Sequence, residues 1–343
     1  MSPPVPRVFS GIQPTGEVHF GNYLGAIRQW VAALDDVESP DQALYCVVDL
    51  HAMTLPYDAD EFAAQTRRTV TFLLAAGLDP DRCTLFVQSH VPAHTELTWV
   101  LNCVATFGEL RRMTQFKEKS SQKGGQESVS VGLFDYPVLM SADILAYDTE
   151  VVPVGDDQRQ HLELARDVAI RFNHRFGETF VVPQAAIPRE GARIMDLQHP
   201  TAKMSKSADS PQGTLPLLDD PAALAKRVKS AVTDSGSDVR FDPNEKPGVS
   251  NLLQILAATT DRTIPDVERE YANGGYGTLK TAVADAVVAF VEPLQARYAE
   301  LAADPGAVDR IVAAGAARAE ALSAPVIERT RKATGLLPRT QLG

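Results

Sequence analysis

The first two hundred residues alternate short β-type runs with longer helical patterns, and that alternation restricts the possible folds more than any other property of the chain. Two parallel strands need a crossover of a dozen or more residues, and a helix is the usual crossover. Residues 8–10 (VFS) lead into Gly11, residues 43–48 (ALYCVV) end at Asp49, and residues 84–88 (TLFVQ) form a third apolar run. Between the last two, residues 61–76 carry a helical pattern that stops at Gly77, where a left-handed C′ residue costs no Cβ clash. The expected fold class is α/β with a mainly parallel sheet, so ligands should gather where the carboxyl ends of strands meet helix N-termini.

Past about residue 208 the texture changes. Residues 221–232, 250–259, 279–302 and 307–322 read as helices separated by Pro, Gly and Asp, with residues 235–248 as a crossing loop. The 343 residues therefore divide into an α/β part, 1–207, and an all-helical part, 208–343, whose last helix has the option of packing back on the first part. Against 44 acidic residues stand 33 basic ones, a formal net charge of −11, which disfavours indiscriminate binding of a polyanion. An RNA contact would need local patches: Arg111, Arg112, Lys117, Lys119 and Lys123, or Lys226, Arg227 and Lys229. Each patch reads equally well as a solvated helix face. Cys46, Cys83 and Cys103 suit neither a disulfide framework nor a zinc knuckle, and no apolar run approaches the ~18 residues of a membrane span. With no secretory pattern in MSPPVPRVFS, a reduced cytoplasmic setting is expected.

After the first strand the chain runs SGIQPTGEVHFGNYLGAIRQW, and a helix is expected from near Asn22, with Leu24, Ile27, Val31 and Leu34 on one face. Its N-terminus offers free N–H groups to a phosphate, and Gly21, lacking a Cβ, lets a flat base or ribose approach the backbone. His19 and Asn22, three residues apart, can donate to the same phosphate oxygens. Residues 203–207 read KMSKS, two ammonium groups on a short loop that suits a triphosphate. Alone, that pentapeptide reads more readily as a basic surface loop with no ligand.

The ordered pair, HFGN at 19–22 and KMSKS at 203–207, resembles the two signatures of class I aminoacyl-tRNA synthetases. The first departs from the common His-Ile-Gly-His form at Phe20 and Asn22, which shifts charge stabilisation toward the lysines. Longer runs, among them SGIQPTG (10–16), CVVDLHAMT (46–54), GELRRMTQFKEKS (108–120), LFDYPVLMSADIL (133–145) and VPVGDDQRQHLELARD (152–167), are similar to the tryptophanyl branch of that class. Asp156 stands where Glu is expected, Leu50 and Met53 flank His51, and loops near Ser39 and Gln122 are lengthened.

The resemblance implies a Rossmann-like catalytic domain, 1–207, followed by a helical anticodon-binding domain, 208–343. It implies ATP and Mg²⁺, the metal held mainly by ATP phosphates, L-tryptophan and its tRNA as partners, a homodimer and no membrane. Lys203 and Lys206 would neutralise the leaving group with His19, Asn22 and Lys119 assisting. Gln13, Pro14, Thr15, Gly21, Gly155, Asp156, Asp157 and Ile194 would hold ATP together with Met204, Ser205 and Ser207. Asp143, in an otherwise apolar stretch, needs a donor, and the resemblance implies that it reads the indole N–H. Phe9 and Met140 would pack on the ring, while Gln13, His51, Gln115, Tyr136 and Gln158 surround the amino acid.

Alternatives stay open from the residues alone. Asp143 can pair with an Arg or cap a turn, His51 can be a satisfied histidine at a strand end, and Phe9 and Met140 can be core fillers. Asp156 or Asp157 can cap a helix over residues 158–172. The competing activities are a tyrosyl enzyme, a non-catalytic RNA-binding paralogue and a small-molecule nucleotidyltransferase.

Overall fold

The structure is a computed structural model that describes residues 6–114, 116–117, 129–155, 158–186, 194–205 and 211–337. Five parallel strands, β1 (Val8–Ile12), β2 (Ala43–Val47), β3 (Thr84–Val87), β4 (Val151–Pro153) and β5 (Gln184–Ala186), lie in the order β3-β2-β1-β4-β5. Successive side chains alternate faces: Tyr45, Val47, Leu85 and Val87 enter one hydrophobic cluster, Leu44, Cys46 and Phe86 the other. Both faces are therefore covered, which is why these strands read as continuous apolar runs.

The first crossover starts two residues earlier than expected, with α1 (Phe20–Asn22), continues through a π-helical turn, Tyr23–Ile27, and ends in α2 (Arg28–Ala33). A one-turn helix, α3 (Asp49–Ala52), follows β2. The helix α4 (Ala59–Ala75) is capped by the Asp58 side chain accepting from Asp60 N–H and closes at Gly77, φ +110°, as the glycine rule requires. Then come α5 (Ala93–Asn102), α6 (Phe107–Arg112), α7 (Val131–Leu145) and α8 (Arg159–Phe176). The cap position of α8 is Gln158; Asp156 and Asp157, the capping candidates, lie outside the described residues.

The helices α9 (Pro221–Lys229), α10 (Pro247–Thr260), α11 (Ile264–Tyr271), α12 (Gly275–Ala302) and α13 (Pro305–Thr334) complete the described chain. Four of them carry Pro in the first turn, where its missing N–H is no loss. The expected loop over 235–248 is organised by Lys246, whose Nζ lies 2.8 Å from Asp238 and donates to Tyr276 Oη at 2.9 Å. α11 and β5, too short to stand out by periodicity, were not anticipated. Packing runs across position 207: Phe20, Leu24 and Ile27 share a cluster with Leu215, Leu252, Val283 and Val287. Phe20 meets Phe290 of α12 at 5.3 Å between ring centres. α13 spans both layers, with Val308 and Val312 in one cluster and Ala319 and Val326 in the other. It touches the β3 edge at Gly315, where an added Cβ would stand 1.8 Å from the Leu85 carbonyl oxygen.

Candidate active site

Strand order reverses at β1, which pairs with β2 on one side and β4 on the other, and such a switch point opens a crevice at the carboxyl ends. A cleft of about 420 Å³ occupies that crevice. Phe9, Gly11 and Gln13 contribute from β1 and its turn, Val152 and Val154 from β4, Tyr136, Met140 and Asp143 from α7, and His51 and Gln158 complete the wall. A larger depression of about 820 Å³ lies elsewhere, between α5 and α13, lined by Pro92, Glu96, Ile327 and Arg331. None of the residues singled out in the sequence lies there, and the switch-point cleft is the one with convergent polar groups in an apolar wall.

Asp143 is only 1% exposed, and its carboxylate is held by three donors. Gln88 Nε2 donates to both oxygens at 2.7 and 2.8 Å, and its Oε1 accepts from Leu50 N–H at 3.1 Å, which orients the amide. His94 Nδ1 meets Oδ1 at 2.6 Å and His51 Nε2 meets Oδ2 at 2.9 Å. Since an ionised carboxylate only accepts, His94 presents Nδ1–H to it, and Tyr147 Oη meets the His94 Nε2 at 2.7 Å. Burial pushes the Asp143 carboxyl up, but the attraction and hydrogen bonds of His94 and His51 outweigh it and hold it well below the usual carboxylate range. The expectation of an Arg partner or a cap is therefore replaced by a histidine–glutamine cradle. His51 sits against Asp143, as the satisfied-histidine reading had it, and also lines the cleft.

Phe9 stacks on Tyr147 with ring centres 5.9 Å apart, and Tyr136 Oη meets His161 Nε2 at 2.8 Å. Phe9 and Tyr136 both line the cleft, where Met140 stays partly accessible.

Beyond the cleft, the two signatures meet at Gly21 and Met204. Phe20 N–H donates to Leu215 O at 3.0 Å and Leu217 N–H to Val18 O at 2.9 Å, tying the turn before α1 to the segment after the 203–207 loop. An added Cβ at Gly21 would stand 3.0 Å from the His19 ring, which would have to give by a few tenths of an ångström, and 3.5 Å, an ordinary contact, from Met204 Cβ. Asn22 Oδ1 accepts from His19 N–H at 3.3 Å, which leaves the NH₂ of Asn22 to carry the donors toward a ligand. His19 itself is buried. The stem of the loop is a hairpin: Met195 bridges Lys203, and Met204 N–H donates to Ile194 O at 3.0 Å. Lys203 is exposed and Ser205 half-buried, while Met204 and Ile194 belong to the hydrophobic cluster below. Pro14 is buried, Thr15 half-buried, and Gly155 is exposed just past β4. Gln115, Lys119, Asp156, Asp157, Lys206 and Ser207 lie outside the described residues.

Three contributors were not found from the sequence. Gln88 and His94 reach Asp143 across 55 and 49 residues of chain. Asn251 of α10 clasps Met195, accepting from its N–H and donating to its carbonyl, both at 2.8 Å. The only available signal was polar residues inside otherwise apolar runs.

A switch-point nucleotide turn facing a lysine-bearing hairpin defines a class I synthetase catalytic unit. Residues 3–292 match the family described as tRNA synthetases class I (W and Y), and the chain belongs to that family. Tryptophan–tRNA ligase 2 of Streptomyces avermitilis is 54% identical over 334 residues, covering 97% of this chain and 98% of that protein. The tryptophan–tRNA ligase of Mycobacterium leprae is 52% identical, covering 97% of each. Among solved structures, tryptophanyl-tRNA synthetase from Mycoplasma pneumoniae superposes with a TM-score of 0.88 at 33% identity, over 97% of this chain and 98% of that one. The Campylobacter jejuni enzyme, complexed with ADP and tryptophan, gives 0.81 at 32% identity, over 96% and 100%.

Proposed function

We propose that this chain is a tryptophan–tRNA ligase. It activates L-tryptophan with ATP to tryptophanyl-adenylate and pyrophosphate, then transfers tryptophan to the 3′-terminal adenosine of its tRNA. The observation that carries the reading is the meeting of the Gly21 turn with Met204 beside a cleft whose floor holds a buried, ionised Asp143.

In the first step the tryptophan carboxylate attacks the α-phosphorus and the bond to pyrophosphate breaks, with no covalent enzyme intermediate. Catalysis is then positioning and charge stabilisation. Asn22 NH₂ meets phosphate oxygens, and Lys203 with Lys206 neutralises charge building on pyrophosphate. Ser205, Ser207 and Lys119 add donors on the same side; Gly155, Asp156 and Asp157 bed the adenosine. Mg²⁺ would be held mainly by the oxygens of the triphosphate. The indole N–H is read by Asp143 between Phe9 and Met140, and Gln13, Tyr136, Gln158 and Gln115 bind the polar end of the amino acid.

The helical region recognises the anticodon, with Lys226 and Lys229 exposed on α9, while Arg227 is engaged with Asp219 at 2.7 Å. A homodimer is supported by the largely exposed Trp99, Phe107 and Val131 on the neighbouring α5, α6 and α7. Among the described residues no helix is long and apolar enough to cross a membrane, and Cys46, Cys83 and Cys103 are free thiols, as a cytoplasmic enzyme would have them. ATP–pyrophosphate exchange with tryptophan and tyrosine in parallel is the test. Exchange with tryptophan alone is expected; exchange supported better by tyrosine overturns the assignment.

A further inference from the structure

Asp143 offers about four lone-pair sites, and four contacts already meet them: Gln88 on both oxygens, His94 on Oδ1, His51 on Oδ2. An indole N–H that is to bond this carboxylate must take a site from one of the chain's own donors. The three are not equivalent. Gln88 is held at both ends, by Leu50 N–H and by Asp143, and His94 at both ring nitrogens, by Tyr147 and Asp143; both side chains are fully buried and neither lines the cleft. His51 does line the cleft, and the hydrogen bond its ring makes among the described residues is the one to Oδ2. It sits on the single turn of α3, whose backbone stays anchored by Thr54 Oγ1 donating to His51 O at 2.8 Å, so the ring can turn without moving the helix.

We propose that His51 is an exchangeable partner of Asp143: the indole N–H takes the Oδ2 position held by His51 Nε2–H, while Gln88 and His94 keep the carboxylate charged and aimed. The proposal rests on the reading that Asp143 recognises the indole. It gives His51 a positioning role in specificity. A ligand of indole shape without the N–H leaves His51 in place and strands no charge, so His51 softens discrimination against it. Without His51, Oδ2 keeps only its share of the Gln88 amide unless the ligand brings a donor, and discrimination sharpens.

The experiment is calorimetric binding of L-tryptophan and of its sulfur isostere, β-(3-benzothienyl)-L-alanine, to the full chain and to His51→Leu, His51→Gln and Asp143→Asn. The affinity ratio is expected to rise roughly tenfold in His51→Leu, the size of one hydrogen bond to a charged group. It should stay near the parent value in His51→Gln, whose amide can still donate. An unchanged or lower ratio in folded His51→Leu overturns the exchange, as does an equal rise in His51→Gln, which would tie the effect to ring volume. Asp143→Asn separates the two readings: a ratio unmoved there means that Asp143 does not read the indole at all, whereas a lowered ratio with an inert His51→Leu sinks the exchange alone. On the unsubstituted chain labelled with ¹⁵N-histidine, saturating tryptophan should shift the His51 ring N–H signal and leave that of His94 in place. Persistence of both signals, unshifted, refutes the proposal independently of any variant's folding.

Discussion

Replacing Asn251 by Ala tests how the helical region controls the nucleotide loop. The Asn251 side chain is nearly fully buried and makes two 2.8 Å hydrogen bonds to one residue, Met195, which bridges Lys203 in the loop stem. Truncation removes both bonds and leaves a backbone N–H and a carbonyl short of partners. At about 1 kcal/mol for each lost bond, and up to about 3 kcal/mol for a stranded group, the latch loses about 2–4 kcal/mol, part of which entering water restores. Because about 1.4 kcal/mol is a factor of ten, kcat/KM for ATP in pyrophosphate exchange should fall roughly 10- to 100-fold. Asn251 lines no part of the tryptophan cleft, so KM for tryptophan should stay within about twofold. Asn251→Asp should do no better than Ala, since its second oxygen faces the Met195 carbonyl. Exchange kinetics measured with each substrate varied in turn decide the matter. Unchanged ATP kinetics in a folded Asn251→Ala, or an equal loss for both substrates, refutes the latch.

Other outcomes follow from the same geometry. Lys203→Ala and Lys206→Ala should each lower exchange by roughly 10²–10³ while tryptophan binding, read by calorimetry, is retained; near-parent exchange removes the lysines from the mechanism. Gly315→Ala places a Cβ 1.8 Å from the Leu85 carbonyl oxygen, so α13 must lift from β3, at a cost of about 1–3 kcal/mol. Thermal unfolding should register a lowered Tm, and an unaltered one means the contact is not tight. Glu109 is pushed up by burial, but hydrogen bonds from Arg171 and Thr106 prevail and hold its carboxyl at about 2, against an ordinary value near 4.5. A depressed carboxyl stabilises the fold above its unfolded value and loses that contribution as pH falls through the folded one. The stability difference between the parent and Glu109→Gln should therefore be constant above about pH 4.5 and shrink toward pH 2, in denaturant titrations across that range.

Much of the site was legible because its chemistry lies in contiguous runs. Gly21 and Asn22 stand at a helix start whose position follows from the preceding strand and the apolar spacing behind it, and Gly77 closes α4 where a left-handed residue is needed. Asp143 was conspicuous as a charge in an apolar helix. Its partners were not, since a glutamine just after β3 and a histidine on α5 look like ordinary polar residues until β3 and α7 are brought together. The His51 bond was hidden for the same reason: His51 follows β2 in sequence, but its ring direction depends on where α7 places a carboxylate.

Sequence alone determined the alternation of strands and helices, the parallel sheet and most of the helices, because backbone preference and apolar periodicity act over a few neighbouring residues; the residue expected to read the indole came from the resemblance carried by the longer runs. Tertiary structure alone decided which donors saturate Asp143, that Asn251 clasps the loop stem, and that one hydrophobic cluster joins the nucleotide turn to the helices beyond residue 207. Those contacts link residues separated by tens to hundreds of positions. Their geometry is set by packing, which local composition does not encode.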